Sequence, residues 1–157
     1  MIHSLIERRK WFQNNMKIFE PKEFQPKEEF DEFYTCPCCG YNTLRERGGY
    51  EICLLCTWED DSQDDADADK VWGGPNADYS LTEARKNFEK YYTMYRPDDT
   101  RAFRRNTSKK EVELKNRIIN KYDELMTSTN VKTQKEINKG ILELLYSLID
   151  LKFARST

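Results

Sequence analysis

The sequence predicts a small α+β protein: a four-cysteine zinc ribbon with a following helix, flanked by an N-terminal helix and a C-terminal helical hairpin. The first observation is a pair of C-x-x-C motifs, Cys36/Cys39 and Cys53/Cys56, separated by thirteen residues. The second is the helical spacing of apolar residues on both sides of these motifs. The third is composition, since only 38% of the 157 residues are hydrophobic and 34% are charged. A single domain with so modest a core gains much from a bound metal ion.

Residues 1–33 are predicted to form a short amphipathic helix followed by an extended connector. Apolar residues at near-helical spacing indicate the helix: Ile2, Leu5, Ile6, Phe12, Met16 and Phe19. Two prolines in a charged setting at 20–32 indicate the connector. The first residues are too charged for a signal peptide, and no window approaches the roughly 20 apolar residues of a membrane span. We therefore expect a cytoplasmic protein that does not bind a membrane.

Residues 34–108 are predicted to contain the metal site in a ribbon of short strands. Each C-x-x-C turn presents two thiolates to one side of a tight loop, and a tetrahedral zinc ion needs four such donors. We expect strands at 43–47 and 50–53, joined through Gly48-Gly49 as the turn of a hairpin. A cytosolic setting favours thiolate ligands over disulfides. The predicted ligands of one structural zinc ion are Cys36, Cys39, Cys53 and Cys56, since four thiolates leave no position open for catalysis.

Other candidate reactive residues are few. Cys38 lies between two predicted ligands and has two open interpretations: an inert, half-exposed thiol, or a redox-sensitive thiol whose pKa is lowered by nearby amides. The only histidine, His3, is far from the cysteines in the sequence and is expected to be an ordinary surface residue. One terminal histidine cannot supply a serine–histidine–aspartate arrangement, and the sequence contains no phosphate-binding glycine loop. We therefore expect no enzymatic activity.

An acidic run follows the second C-x-x-C motif, with six aspartates and one glutamate in residues 59–69. Three interpretations remain open: a solvated loop, a divalent-ion site, or a docking surface for a basic protein partner. The ion site is the weakest, because Lys70 stands where a calcium loop requires glycine. Trp58 and Trp72 are expected to anchor the two ends of the run. The candidate partner contacts are Glu59, Asp60, Asp61, Asp64 and Asp65.

The C-terminal part of the chain is predicted to be helical. Ser80 and Glu83 form a capping box that opens a helix through about Tyr95. Segment 109–157 is expected to form an antiparallel helical hairpin, because two apolar runs at helical spacing flank a loop at 127–133. The apolar positions are Val112, Leu114, Ile118, Ile119, Tyr122, Leu125 and Met126, then Ile137, Ile141, Leu144, Leu145, Leu148 and Ile149.

A basic segment before this hairpin supports an alternative function. It contains Arg101, Arg104, Arg105, Lys109 and Lys110 around Phe103. Together with Arg45 and Arg47 on the ribbon, this segment suits a zinc-ribbon protein that binds nucleic acid or acts as a regulator. The net charge of −2 and the neighbouring acidic run oppose this alternative, because negative charge repels phosphate.

Several motifs in one order resemble the bacterial cysteine-rich CPCC domain family over about residues 34–87. They are Cys36-Pro-Cys-Cys-Gly-Tyr, Arg47-Gly-Gly-Tyr-Glu-Ile-Cys-x-x-Cys, Trp58-Glu-Asp-Asp-x-Gln-Asp-Asp, Trp72-Gly-Gly-Pro-Asn and Ser80-Leu-Thr-Glu-Ala-Arg. The resemblance implies a zinc-binding domain with the four predicted ligands and no established activity. Some members of the family occur beside bacterial toxin genes, which implies an immunity or antitoxin role. The preferred hypothesis is therefore a non-catalytic zinc protein whose acidic loop binds a basic protein partner such as a toxin.

Overall fold

A computed structural model of the chain describes residues 1–15, 34–101 and 108–154. Two compact units are present: Met1–Glu32 with Ser108–Thr157, and Phe33–Thr107. The helices are α1 Leu5–Asn15, α2 Leu81–Tyr91, α3 Lys109–Thr127 and α4 Val131–Phe153, and the strands are β1 Tyr34–Thr35 and β2 Asn42–Leu44. The predicted connector at 20–32 lies outside the described residues, as do Phe103, Arg104 and Arg105. Within the described parts of the chain, no helix has the length and apolar character needed to cross a lipid bilayer.

The helical unit confirms the predicted C-terminal hairpin. Ser108 caps α3 by accepting a hydrogen bond from the Glu111 amide, and Asn130 caps α4 by accepting one from the Thr133 amide. These caps satisfy amides in the first turn that have no helical partner. The buried core comes mainly from the apolar positions that the periodicity identified: Ile118, Ile119, Tyr122, Leu125, Met126, Ile141, Leu145 and Leu148.

Helix α1 packs on this hairpin, but the predicted amphipathic face is only partly buried, because Ile2 and Ile6 are exposed. The buried Phe12 ring meets Tyr122 of α3 edge to face, with 5.6 Å between ring centroids. His3 differs from the prediction of an ordinary surface residue. Its side chain is half-buried, and Nδ1 lies 3.1 Å from a carboxylate oxygen of Asp123. The sequence could not show this contact because the two residues are 120 positions apart.

The second unit holds the cysteines, and its strand pairing corrects one prediction. The hairpin expected across Gly48-Gly49 is wrong. Strand β1 pairs with β2 around the first C-x-x-C motif, and an antiparallel bridge joins Ile52 to Glu59 around the second. Each C-x-x-C motif is therefore the turn between two antiparallel segments that pair with each other. The α+β class with a small cysteine-rich knuckle region is confirmed.

Helix α2 follows the acidic run and packs on the cysteine-rich region. Ser80 caps it by accepting from the Glu83 amide at 3.1 Å, as predicted. The reciprocal half of the capping box is not formed, because the Glu83 carboxylate accepts hydrogen bonds from Arg96 instead. The helix ends at Tyr91 rather than near Tyr95, since Tyr92 adopts a left-handed conformation with φ 58°. The buried Phe88 of this helix meets the buried Tyr41 ring with centroids 6.3 Å apart.

Candidate metal centre

The four predicted ligands converge at one buried point. Their sulfur atoms all lie within 4.8 Å of one another, and all four side chains are buried. The Sγ atoms of Cys36 and Cys56 are 3.5 Å apart, and those of Cys39 and Cys53 are 3.7 Å apart. A tetrahedral zinc with Zn–S bonds of about 2.3 Å would require sulfurs about 3.8 Å apart. The spacing therefore suits a single tetrahedral metal ion held by four thiolates.

The two cysteine turns have the same backbone design. In the first, the Cys36 amide donates to Tyr41 O, and the Gly40 amide donates to Cys36 O. In the second, the Cys53 amide donates to Trp58 O, and the Thr57 amide donates to Cys53 O. The residue after each second cysteine has a positive φ, 74° at Gly40 and 68° at Thr57. Two equivalent turns thus bring two sulfurs each to a shared centre.

Donors outside the cysteines support the sulfur cluster. The Trp58 amide lies 3.5 Å from Cys56 Sγ, and the Thr43 hydroxyl lies 3.1 Å from Cys53 Sγ. Trp58 is buried beside the second turn. Groups of this kind orient metal ligands and stabilise their negative charge. The sequence motifs revealed the four ligands but gave no sign of the role of Thr43.

The electrostatics of the sulfurs show why they need a cation. Burial raises the pKa of the Cys36, Cys39 and Cys56 thiols well above the ordinary range, because a low-dielectric site disfavours thiolates. Burial acts on Cys53 in the same direction. Hydrogen bonds from the three other cysteines and Thr43 outweigh it, so the pKa of Cys53 lies below its usual value. The site can hold four thiolates together only around a metal ion, which neutralises their charge.

We expect acid to release the bound metal ion. At neutral pH the metal-free chain keeps most of these thiols protonated, so metal binding must displace several protons. Lower pH favours the protonated thiols, and the apparent affinity should fall at least about 100-fold per pH unit if two or more protons are displaced. Competition with a chelator of known affinity at pH 6 and pH 7 measures this change. A fall of tenfold or less would mean that metal binding displaces no more than one proton, which would contradict this expectation.

Cys38 lies in the same turn as two ligands but differs from the expected half-exposed thiol. Its side chain is only 1% exposed, so that part of the prediction is wrong. The residue therefore belongs to the packed interior of the turn.

The acidic run differs from a solvated loop, because its carboxylates hold the domain together. Asp60 is fully buried, and its Oδ2 accepts hydrogen bonds from Arg47 Nε at 2.9 Å and from the Gly48 amide at 2.7 Å. Asp61 is buried too, and it accepts hydrogen bonds from the Gln63 amide and from the Asn76 side chain. Glycine suits position 48 because its φ is 71° and a Cβ would meet Ser62 Oγ at 2.4 Å.

The three remaining candidate contacts lie nearer the surface. Asp64 is partly exposed; it accepts from the Asp65 amide and from Arg47 at 3.0 Å. The Asp65 side chain is 71% exposed and lies 2.7 Å from Arg85. Glu59 is half-buried, and its backbone forms the bridge with Ile52. Only these three of the five predicted contacts are accessible to another molecule.

Asn76, rather than Trp72, connects the segment after the acidic run to the first residue of the run, Glu59. Trp58 is buried as predicted, but Trp72 is 48% exposed. The buried Asn76 side chain accepts from the Glu59 amide at 3.1 Å and donates to Glu59 O at 2.8 Å. The Trp72-Gly-Gly-Pro-Asn motif contained this residue, but the tryptophan was the more conspicuous signal.

Two of the basic residues singled out in the sequence also form ion pairs within the cysteine-rich unit. Arg45 pairs with Glu51, and Arg101 pairs with Asp78 and Asp99. The acidic residues of the run do not form an ion site. In residues 1–15, 34–101 and 108–154, the four cysteines are the only set of three or more metal-binding side chains close enough for one ion. Lys109 and Lys110 begin α3 and belong to the helical unit.

Comparison with known proteins identifies one family. Residues 34–111 match the family described as Cysteine-rich CPCC. This range contains both cysteine turns, the acidic run and α2. The chain has no significant match among curated proteins or solved structures.

Proposed function

Residues 34–111 of this chain belong to the cysteine-rich CPCC family, and we propose that the chain is a non-catalytic zinc protein that binds a basic protein partner. The metal has a structural role in this proposal. Cys36, Cys39, Cys53 and Cys56 supply four ligands at spacings that fit zinc, and no position is left for a substrate. Bound zinc supplies the positive charge that lets the four thiolates coexist.

The charge distribution carries the proposal of a basic partner. The cysteine-rich unit, residues 33–107, contains ten Lys and Arg side chains against fourteen Asp and Glu side chains, which gives a net charge of −4. Four thiolates around one divalent ion add roughly two further negative charges. A surface of one sign steers association with the opposite sign and slows association with its own. A protein that displays lysine and arginine is therefore the partner with the best complementarity.

The buried and exposed carboxylates have different roles in this proposal. Asp60 and Asp61 fix the shape of the acidic run through Arg47 and Asn76. The accessible Glu59, Asp64 and Asp65 are the ones that can face a partner. An accessible carboxylate at the rim of an interface acts mainly on the association rate and its dependence on salt.

Nucleic acid fits this surface less well. Arg45, Arg47 and Arg101 each make ion pairs with carboxylates of the same unit. A phosphate would have to displace those carboxylates and approach a region of net negative charge. These contacts favour protein over nucleic acid as the partner.

An immunity or antitoxin role in the cytoplasm is the finer part of the proposal. The resemblance to this family implies such a role, and a toxin that acts on nucleic acid needs a cationic cleft for its substrate. An acidic surface can block such a cleft by occupying the place of the phosphates. The five cysteines form no disulfide in the described part of the chain, which suits a reducing compartment.

We expect the double variant Asp64→Asn/Asp65→Asn to bind its partner more slowly. Tagged full-length chain first isolates the partner from the source cells, and the purified pair is then compared by surface plasmon resonance at low and moderate salt. Removing two accessible charges should lower the association rate about tenfold at low salt, with a smaller effect at high salt. Glu89→Gln/Asp98→Asn is the matched control, because it removes two exposed charges of the same domain outside the acidic run. Equal rates for all three proteins would contradict the proposal, as would recovery of nucleic acid without a protein.

A further inference from the structure

Tyr50 combines an unfavourable backbone conformation with an exposed side chain. Its φ is 59°, in the left-handed region that glycine and asparagine adopt more readily than tyrosine. The side chain is 60% exposed, so its burial contributes little to offset the cost of the unfavourable backbone conformation. Such outliers persist where the surrounding structure holds them, and they cluster at functional sites. A fold requirement alone would favour asparagine or glycine at this position.

Ile52 extends the exposed apolar surface from Tyr50. The segment 50–52 is paired with 58–60, since the Tyr50 amide donates to Asp60 O and the Asp60 amide donates to Glu51 O. Tyr50 and Ile52 thus lie two residues apart on one paired segment. Ile52 is exposed, and it lies opposite Glu59 in the antiparallel bridge. The ribbon thus presents two apolar side chains next to a carboxylate.

The loop that carries Val71 and Trp72 is held against this ribbon. Its end is fixed by Asn76, whose side chain bonds both the amide and the carbonyl of Glu59. Its start is fixed by the Gln63 side chain, which donates to Lys70 O at 2.7 Å. Val71 and Trp72 lie between these two attachments, and both side chains are exposed. Two attachments therefore hold the loop to the ribbon that carries Tyr50 and Ile52.

The net negative charge of the cysteine-rich unit indicates which kind of partner would bind this exposed apolar surface. We propose that Tyr50, Ile52, Val71 and Trp72 form the apolar centre of the surface that docks a cationic protein, an inference that rests on the function proposed above. Tyrosine and tryptophan are enriched among residues that dominate binding energy, and their ring faces also accept lysine and arginine. A second copy of this chain is a poorer occupant, because two cysteine-rich units with a net charge of −4 each repel each other.

The first step of the test identifies what touches this surface. A photoreactive phenylalanine derivative replaces Trp72 in one full-length chain and Tyr91 in another, and both are irradiated in the source cells. Tyr91 is the matched control because it is an exposed aromatic residue of the same domain at the end of α2. We expect a protein adduct of net positive charge at position 72 and little of that adduct at position 91. Equal labelling at both positions, an adduct with a second copy, or no protein adduct overturns the inference.

The second step measures binding of the identified protein by purified variants. Tyr50→Asn should keep its metal and its stability, because asparagine tolerates a positive φ, but its affinity should fall about 10- to 30-fold. Trp72→Ala should show a similar fall, and Tyr91→Ala should bind as the unmodified chain does. Wild-type affinity in both Tyr50→Asn and Trp72→Ala overturns the docking surface. If Asp64→Asn/Asp65→Asn still weakens binding in that case, the proposed function stands without it.

Discussion

The Cys39→Ser variant is expected to lose the metal ion, and its cysteine-rich unit is expected to unfold. The Cys38→Ser variant is expected to keep both the metal ion and the folded unit. Cys39 is one of four buried sulfurs within 4.8 Å of one another, so its loss leaves three ligands. Structural zinc contributes about 10–16 kcal/mol of apparent binding free energy in small zinc modules. That range is as large as the whole stability of a typical domain, about 5–15 kcal/mol. The short strands and cysteine turns of this unit cannot replace such a contribution.

Metal content and a local probe of folding measure this result. The metal bound per chain is determined by elemental analysis after purification, and near-ultraviolet circular dichroism reports the packing of the buried Trp58. Most helical residues belong to α3 and α4, which have their own buried core, so the far-ultraviolet helical signal should largely remain. Cys38→Ser is a close control because it changes a buried cysteine in the same turn. Full metal content in Cys39→Ser, or its loss in Cys38→Ser, would contradict the ligand assignment.

Local signals in the sequence explain why the ligands and caps could be predicted. A C-x-x-C turn contains two ligands within four residues, and Ser80 and its helix lie next to each other in the chain. The strand pairing around the two C-x-x-C motifs was not predicted, because Gly48-Gly49 is a stronger turn signal in the sequence than either motif. In the structure the cysteine turns are the reversals across which the chain pairs. The glycines instead allow the 48–49 segment to approach Asp60.

The role of the acidic run could not be predicted, since its contacts are long-range. Asp60 reaches Arg47 across 13 positions, Asp61 reaches Asn76 across 15, and Asp65 reaches Arg85 across 20. Sequence composition gives the number of charges but not their partners. The structure shows that the same run contributes buried acceptors to the fold and leaves part of its charge at the surface.

Asp60→Asn is expected to destabilise the cysteine-rich unit by about 2–4 kcal/mol even when metal is saturating. The side chain is fully buried, and it accepts charge-assisted bonds from Arg47 and a bond from the Gly48 amide. Asparagine keeps one acceptor but removes the charge that balances a half-buried guanidinium. The Arg47 side chain is 30% exposed, so water limits the loss and the cost stays below that of a fully buried pair.

The measurement compares Asp60→Asn with Asp65→Asn under identical conditions. Both variants carry Trp11→Phe and Trp72→Phe, so that Trp58 alone reports urea unfolding of the cysteine-rich unit. Asp65 is 71% exposed and pairs with Arg85 at the surface, so its substitution should cost no more than about 1 kcal/mol. Equal stability of the two variants would mean that the buried carboxylate is not needed for folding. The strongest remaining role for Asp60 would then be at the partner interface, after a rearrangement that exposes it.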